Sequence, residues 1–355
     1  MNLRENVRLA PYTTLQLGGP ARYFVECTAE SEVRAALAHA RERSLPVFVL
    51  AGGSNVVFGD AGFPGMVLRV AIGSDQGIAF RDGEITAGAG ADWDTLVRGA
   101  VERGWTGVEC LSGIPGTVGG TPIQNVGAYG QEVAETLVSV NCLDRTTLER
   151  VTFSAVECEF GYRDSRFKGR DRGRYVVLDV TLRLRRDAPP RIRYPELRDA
   201  VARVGRRGSF DSAAPADAVR LVRQTVLALR RSKSMVLDPA DPNARSAGSF
   251  FMNPVLSPAA FAELERRWQG AGGSGAIPNF PAGDAMKVPA AWLVERAGFP
   301  KGYRLGGAGV SSRHALALVN LGGTSAELLE LADKIKAGVE TRFGITLECE
   351  PEVVR

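Results

Sequence analysis

The chain has 355 residues and a formal net charge of +4, with 44 lysines and arginines against 40 aspartates and glutamates. At about 100–200 residues per domain, this length accommodates two or three domains. Its 45% hydrophobic and 24% charged residues are typical of a folded globular chain and exclude extensive disorder. The small positive excess is too diffuse to predict nucleic-acid binding.

Cysteine and histidine are scarce and scattered. The five cysteines contain no C-x-x-C pair, which argues against a disulfide framework and a zinc site and favours reduced thiols. The two histidines, His39 in a predicted helix and His314 in a predicted strand over 313–318, lie outside any metal-binding or triad motif. We therefore expect no metal, and catalysis that depends on a cofactor or on other side chains. No apolar stretch approaches about 18 residues, which predicts neither a signal peptide nor a membrane span.

In chain order, the first predicted elements form a strand–helix–strand unit. Residues 22–27 are typical of a strand, and Thr28 is a candidate N-cap for the helix that follows. One face of that helix is apolar and consists of Val33, Ala36, Leu37 and Ala40. Residues 46–50 are then predicted to be a short buried strand.

Many strands and few helices follow, which predicts an α+β fold for this half of the chain. Asp92 is a candidate N-cap for the one clear helix. The predicted strands cover residues 66–70, 83–87, 138–143, 150–153 and 175–182.

Charges and tandem prolines at residues 185–190 oppose regular structure and mark the predicted domain boundary. We expect a first domain over 1–190, with subdomains of roughly 1–70 and 71–190. A second α+β domain is expected over 191–355.

The last part of the chain contains the clearest helix. Thr324 and Glu327 have the spacing of a capping box, and Gly344 is a candidate C-terminal stop. Alternation over 345–350 then predicts a last strand that reaches about residue 355. Loops are predicted over 205–216 and 239–246.

Two glycine-rich segments are candidate ligand-binding loops. Residues 52–55 directly follow a buried strand, where glycines allow backbone N–H groups to approach a phosphate; an ordinary tight turn is the alternative. Residues 112–130 are glycine-rich and uncharged but not repetitive, which indicates a rigid backbone surface against a flat or phosphorylated ligand. Neither segment has the spacing of a Rossmann or Walker motif.

Three polar residues elsewhere are weaker candidates. Arg163 could bind a carboxylate bidentately or form an ordinary surface ion pair. Ser249 could donate a proton or only form a turn, and Glu350 could be catalytic or simply exposed on an edge strand.

Together, and in this order, these motifs resemble UDP-N-acetylenolpyruvoylglucosamine reductases, the MurB family. The resemblance implies an FAD-binding domain of the vanillyl-alcohol-oxidase (PCMH) type and a C-terminal α+β substrate-binding domain. It also implies NADPH as reductant and the cytoplasmic reduction of UDP-N-acetylglucosamine enolpyruvate to UDP-N-acetylmuramate for peptidoglycan. The matching segments are 50–56, 114–116, 122–130, 160–165, 247–251, 253–254 and 347–350.

The resemblance also implies roles for individual residues. Arg163 and Glu350 would be catalytic, and Ser249 would be the proton donor. The residues that would contact the UDP-sugar substrate or the dinucleotide are Tyr162, Tyr194, Arg230, Lys233 and Asn253. The residues that would hold FAD are Gly52, Gly53, Ser54, Asn55, Ser112, Gly113, Ile114, Pro115, Gly116, Thr117, Gly119, Gly120, Gln124, Asn125, Gly127, Ala128 and Tyr129.

Some alternatives stay open at this stage. Glu348 or Glu352 could replace Glu350 as the active carboxylate. A flavin oxidase of the same fold, acting on an alcohol or sugar, would favour a covalent flavin anchor, for which Cys110 is the nearest candidate. A non-catalytic nucleotide-binding regulator is the third possibility. We expect a monomer with no membrane or nucleic-acid partner.

Overall fold

The computed structural model describes residues 1–75, 77–204 and 213–355. Their mixture of helices and strands confirms the α+β fold class. The helices are α1 (Glu30–Glu42), α2 (Trp93–Glu102), α3 (Pro195–Val204), α4 (Pro215–Ser232), α5 (Pro258–Gly270), α6 (Ala290–Arg296) and α7 (Ser325–Phe343). The strands are β1 (Leu3–Arg8), β2 (Pro20–Cys27), β3 (Val47–Leu50), β4 (Val56–Phe58), β5 (Phe63–Val70), β6 (Ile78–Arg81), β7 (Glu84–Gly88), β8 (Gly127–Ala128), β9 (Gln131–Glu132), β10 (Leu137–Asp144), β11 (Arg150–Ser154), β12 (Tyr175–Arg183), β13 (Ser246–Ser249), β14 (Val255–Leu256), β15 (Phe280–Ala282), β16 (Ala285–Lys287), β17 (Arg304–Leu305), β18 (Ala308–Val310), β19 (Ala317–Asn320) and β20 (Glu352–Val354).

The chain divides into two compact units, and the division differs from the expected boundary at residue 190. The first unit comprises Met1–Val7, Ala21–Gly53 and Phe63–Leu237, and the second comprises Arg8–Pro20, Ser54–Gly62 and Asp238–Arg355. Helices α3 and α4 belong to the first unit because their apolar faces share one buried cluster with its residues. That cluster contains Cys110, Leu197, Val201, Val222 and Val226.

The first sheet of the first unit has the strand order β1-β2-β5-β3, and β5 pairs in parallel with β2 and β3. The predicted apolar face of α1 is buried, which confirms the helix. The N-cap prediction is wrong: the N-cap is Ala29. The backbone N–H and the hydroxyl of Thr28 instead donate to the carboxylate of Glu32, at 2.8 and 3.0 Å.

The second sheet of the first unit is antiparallel, with the order β11-β10-β12-β7-β6. Asp92 caps α2 as predicted, because its Oδ1 accepts a hydrogen bond from Thr95 N at 2.7 Å. Trp93, Leu96 and Val97 of α2 are buried in the main core of this unit.

The second unit contains the sheets β13-β19-β18-β17, β14-β16-β15 and β20-β4. Helix α7 begins with the predicted capping box of Thr324 and Glu327 and ends at Gly344, whose φ is 69°. Its apolar stripe is buried in the core of this unit and consists of Leu328, Leu331, Ala332, Ile335 and Val339.

Two predicted strands are shorter in the structure. The last one is confined to β20, which pairs in parallel with β4, while residues 345–350 form no strand and contain one isolated bridge, from Cys349 to Phe251. In the region of His314 only β19 is a strand, and His314 precedes it in a turn, where its Nδ1 accepts from Leu316 N. Of the predicted loop over 205–216, residues 205–212 lie outside the described residues and Pro215 already begins α4.

Candidate functional site

The two glycine-rich segments are in direct backbone contact within the first unit. A Cβ atom placed on Gly52 would lie 2.6 Å from Gly116 Cα and 3.0 Å from Thr117 N. Real side chains do not approach backbone this closely, so only glycine allows the two segments to pack together here. The structure therefore joins two segments that the sequence could identify only separately.

The contact region contains a polar atom that suits a ligand. Among the described residues, none hydrogen-bonds to Thr117 Oγ1, although this oxygen is buried. An unsatisfied buried hydroxyl costs about 1–3 kcal/mol, and the phosphate or ring of a bound cofactor would satisfy it. A close-packed glycine backbone with this hydroxyl fits a flat, phosphorylated group such as FAD.

The first residues of the longer glycine-rich segment, residues 112–130, are fixed by other parts of the first unit. Ser112 is fully buried and its hydroxyl donates to Glu109 O at 2.6 Å. The N–H of Gly113 donates to Asp94 Oδ1 at 2.6 Å. Asp94 also accepts two hydrogen bonds from the guanidinium of Arg223, each at 2.7 Å.

Arg230, a predicted substrate contact, lies beside this same tract. Among the described residues, none accepts a hydrogen bond from its buried Nε, while its Nη2 donates to Met235 O at 2.7 Å. A Cβ on Gly113 would lie 3.6 Å from that Nε. Burial lowers the pKa of the Arg230 guanidinium, and the nearby Tyr129 and Asp94 oppose the shift. The arrangement suits an anionic or carbonyl acceptor.

The far end of the glycine-rich segment over residues 112–130 forms β8 and the turn of the β8–β9 hairpin, and Tyr129 lies in that turn. The Tyr129 and Tyr194 rings pack edge to face with centroids 5.6 Å apart. Lys233 Nζ lies 5.9 Å from the Tyr129 ring centroid and 2.7 Å from a carboxylate oxygen of Glu196. The structure thus brings three predicted ligand contacts together. Burial raises the pKa of Tyr129 to about 12, so its hydroxyl is a neutral donor at neutral pH.

Arg163 lies in a tight turn that is fixed against the same hairpin. Gly161 and Asp164 exchange backbone hydrogen bonds across this turn, and Arg163 itself has a φ of 54°. Its guanidinium donates to the carbonyls of Asn125 and Gly127. Its side chain is only 18% exposed, so neighbouring groups surround most of this cation.

Three predicted residues also come together within the second unit. Ser249 ends β13, and the N–H of Glu350 donates to the carbonyl of the next residue, Phe250, at 2.9 Å. Asn55 Nδ2 donates to the carbonyl of Glu350 at 3.2 Å. Ser249 Oγ makes no hydrogen bond to any residue that the structure describes.

The environment of the other carboxylates and of Asn253 bears on their predicted roles. Glu350 is partly buried, whereas Glu348 and Glu352 are exposed, which favours Glu350 as the active carboxylate.

The side-chain carbonyl of Asn253 accepts from Ala290 N, at the start of α6, at 2.9 Å. Asn253 therefore already stabilises a helix terminus.

Sequence reasoning missed Asp94, Arg223 and Glu132, which hold the candidate ligand-binding segments through side-chain contacts. Asp94 lies in the first turn of a helix, where an acidic residue is expected for the helix dipole alone. Glu132 has a clearer local signal, since its spacing to Glu135 is that of a capping box, and the structure contains that box.

Comparison with known proteins gives two family matches and many similar sequences. Residues 21–150 match the family described as FAD binding domain, and residues 239–354 match the C-terminal domain of UDP-N-acetylenolpyruvoylglucosamine reductase. Proteins named UDP-N-acetylenolpyruvoylglucosamine reductase include one from Thermobifida fusca, 49% identical over 99% of this chain and 97% of its own length. Another, from Streptomyces coelicolor, is 45% identical over 98% of this chain and 88% of its own. The crystal structure of the reductase from Thermus caldophilus has a TM-score of 0.68 at 26% identity and covers both chains completely.

An FAD-binding domain joined to a reductase-type C-terminal domain defines an FAD-dependent oxidoreductase. The chain belongs to the UDP-N-acetylenolpyruvoylglucosamine reductase (MurB) family. The resemblance, the fold class and the FAD cofactor are therefore confirmed.

The alternative of a covalent flavin oxidase has no support at its candidate anchor. Cys110 is fully buried, and burial raises the pKa of its thiol, so a reactive thiolate is disfavoured.

In the part of the chain that the structure describes, no group of His, Cys, Asp and Glu side chains could hold a metal ion. Among the same residues, no helix is both long and apolar enough to cross a membrane.

Proposed function

We propose that Arg163, Ser249 and Glu350 carry out the reaction of this family in this chain. That reaction reduces the enolpyruvyl group of UDP-N-acetylglucosamine enolpyruvate to UDP-N-acetylmuramate, with FAD on the enzyme and NADPH as reductant. The observation that carries the proposal is the 49% identity to a named reductase across 99% of the chain. When bound, FAD supplies the hydride.

The two glycine-rich segments, residues 52–55 and the residues from Ser112 to Tyr129, would hold FAD. Gly52 and Gly116 would provide a surface without side chains that a phosphorylated, flat group can approach closely. The Thr117 hydroxyl supplies a hydrogen bond that no described residue takes up. This assignment includes Gly53, Ser54 and Asn55 at the first segment.

Arg163 stabilises the negative charge that develops on the substrate. Addition of a hydride to the terminal enol carbon leaves charge on the adjacent carbon and its carboxylate. A planar guanidinium binds such a carboxylate with two parallel hydrogen bonds. The contacts of Arg163 to two backbone carbonyls support this role, because they orient the group before substrate binds.

Ser249 delivers a proton to the carbon that carries the charge, and Glu350 orients the reacting group. A hydroxyl without a partner among the described residues keeps its proton available for transfer. As an acid it needs help from neighbours, since a serine hydroxyl is a weak donor of protons. Glu350 is better suited to hydrogen-bond a protonated enol than to face an anion directly.

The UDP-sugar contacts Tyr162, Tyr194, Arg230, Lys233 and Asn253. Cations suit its diphosphate, and the Tyr129–Tyr194 pair offers aromatic surface and hydroxyl donors. Binding of a diphosphate at Lys233 requires that this cation exchange or share its present partner, Glu196.

We also place the enzyme in the cytoplasm as a monomer, without membrane or nucleic-acid partners.

Steady-state turnover tests this function. The holoenzyme should consume NADPH only when the enolpyruvyl sugar nucleotide is present, and mass spectrometry should show a product heavier by two hydrogens. NADPH consumption that ignores this substrate would contradict the proposal. Acid precipitation separates the oxidase alternative, because covalently attached flavin would stay with the pellet.

A further inference from the structure

The guanidinium of Arg163 lies against the β8–β9 hairpin at a site that also contains a carboxylate. Its Nη2 donates to Gly127 O, and its Nη1 lies 3.9 Å from Glu132 Oε1. The side chains are 18% and 37% exposed. Partial burial strengthens such an ion pair relative to a fully exposed one.

Gly127 makes this approach possible. A Cβ atom at residue 127 would lie 2.8 Å from Arg163 Nη1 and 2.8 Å from Glu132 Cγ. The space that a side chain would take is therefore occupied by the guanidinium and the glutamate. The hairpin is shaped to seat these two groups side by side.

Glu132 is itself held in place from the other side. Its Oε2 accepts from Asn125 Nδ2 at 2.8 Å, and the same amide nitrogen donates to Gly161 O at 3.0 Å. Asn125 is 1% exposed, and its Oδ1 accepts from Ala134 N at 3.1 Å. This buried amide joins the hairpin carboxylate to the turn that carries Arg163.

We propose that Glu132 is a positioning residue for Arg163: its carboxylate fixes the orientation in which the guanidinium meets the substrate carboxylate. The inference rests on the proposed function, because that function gives Arg163 its catalytic role. A preoriented guanidinium loses less rotational freedom when substrate binds, and a small misplacement of such a group lowers turnover strongly. Glu132 affects turnover only through Arg163.

The variant Glu132→Gln tests the charge at nearly constant shape. Its amide oxygen can still accept from Asn125, but the attraction to Arg163 is lost. We expect kcat to fall about 10-fold with little change in the KM for NADPH, as for loss of transition-state orientation. Glu132→Asp, which keeps the charge at a shorter reach, should lose less. Equal kcat values for the wild type, Glu132→Gln and Glu132→Asp would overturn the proposal.

Glu135→Gln is the matched control. Glu135 shares the capping box, since Glu132 N donates to its Oε1 at 3.2 Å, and it pairs with Arg193 at 2.9 Å. Among the described residues, it forms neither a hydrogen bond nor an ion pair with Arg163. Its variant should keep near-wild-type kcat, whereas a loss equal to that of Glu132→Gln would show that the cap alone matters and would overturn the proposal.

A double-mutant cycle distinguishes positioning from a general structural effect. In the Arg163→Ala background, Glu132→Gln should change kcat less than about twofold, because the group it orients is gone. If Glu132→Gln still lowered kcat about 10-fold in the Arg163→Ala background, the positioning role of Glu132 would be overturned, while the catalytic role of Arg163 would stand. Wild-type turnover of Arg163→Ala would contradict the catalytic role of Arg163 itself, and this inference with it. FAD content and melting temperature are compared for every variant.

Discussion

At the scale of single residues, Ser249 has a small side chain on a rigid support. Phe250 and Phe251, which follow it, are 0% and 1% exposed and pack against each other with ring centroids 5.3 Å apart. Buried aromatic anchors fix the backbone, so the serine can change without disturbing the core.

The variant Ser249→Ala should therefore separate chemistry from stability. We expect turnover to fall by about 10²–10⁴-fold, the usual contribution of a positioned acid, while stability changes by less than about 0.5 kcal/mol. Ser232→Ala, at an exposed serine whose hydroxyl donates to Leu229 O, is the control. Wild-type turnover of Ser249→Ala would remove this residue from the mechanism and favour a non-catalytic role for the chain.

The cysteines allow a second prediction at this scale. Cys27, Cys110, Cys142 and Cys158 are buried, and burial raises the pKa of each thiol, in Cys27 and Cys158 to about 12. Thiolate is the reactive form. A thiol-reactive dye should therefore leave these four unmodified in the native protein and modify all five cysteines after unfolding. Rapid native modification of any of the four, read by peptide mass spectrometry, would contradict this.

At the scale of elements, an ion pair joins α2 to α4 and to the start of the glycine-rich tract. Arg223 of α4 donates to both carboxylate oxygens of Asp94, and Gly113 N–H donates to one of them. Burial alone would raise the pKa of Asp94, but these hydrogen bonds outweigh it and hold the pKa below its usual range. The ionised form therefore stabilises the folded state.

This depressed pKa predicts the pH dependence of Asp94→Asn. The stabilisation by Asp94 is fully present above its unfolded pKa of about 3.9 and is lost as pH falls through the lower folded pKa. Urea unfolding at pH 7 should show the variant less stable by about 1–3 kcal/mol, with the difference shrinking in acid. Asp217→Asn, at an exposed pair with Arg220, should change stability by less than about 0.5 kcal/mol. A difference independent of pH would contradict the assignment.

Elements with local signals were predictable from the sequence. The caps of α2 and α7 depend on residues three positions apart, so the chain itself carries the information. Thr28 satisfied the same local rule, but its hydroxyl bonds Glu32 while the helix begins one residue later. The last strand was placed too early because its partner, β4, lies far away in the sequence and pairs only with Glu352–Val354.

At the scale of the whole molecule, the fold class and the cofactor could be predicted because the motifs occur in a specific order along the chain. The division into compact units could not, because residues 8–20 and 54–62 join a unit made mostly of residues 238–355. The supporting contacts of the site were also hidden. Asp94 and Arg223 are 129 residues apart, and Arg163 is 36 residues from Gly127, distances over which no sequence pattern is visible.

The measurement that tests the central claim most directly is the anaerobic visible absorption spectrum of the purified protein. The chain should be yellow with bound FAD, lose its colour on addition of NADPH, and regain it when UDP-N-acetylglucosamine enolpyruvate is added. A protein that is colourless and cannot be reconstituted with FAD, or one whose NADPH-reduced form the substrate does not reoxidise, would contradict the account.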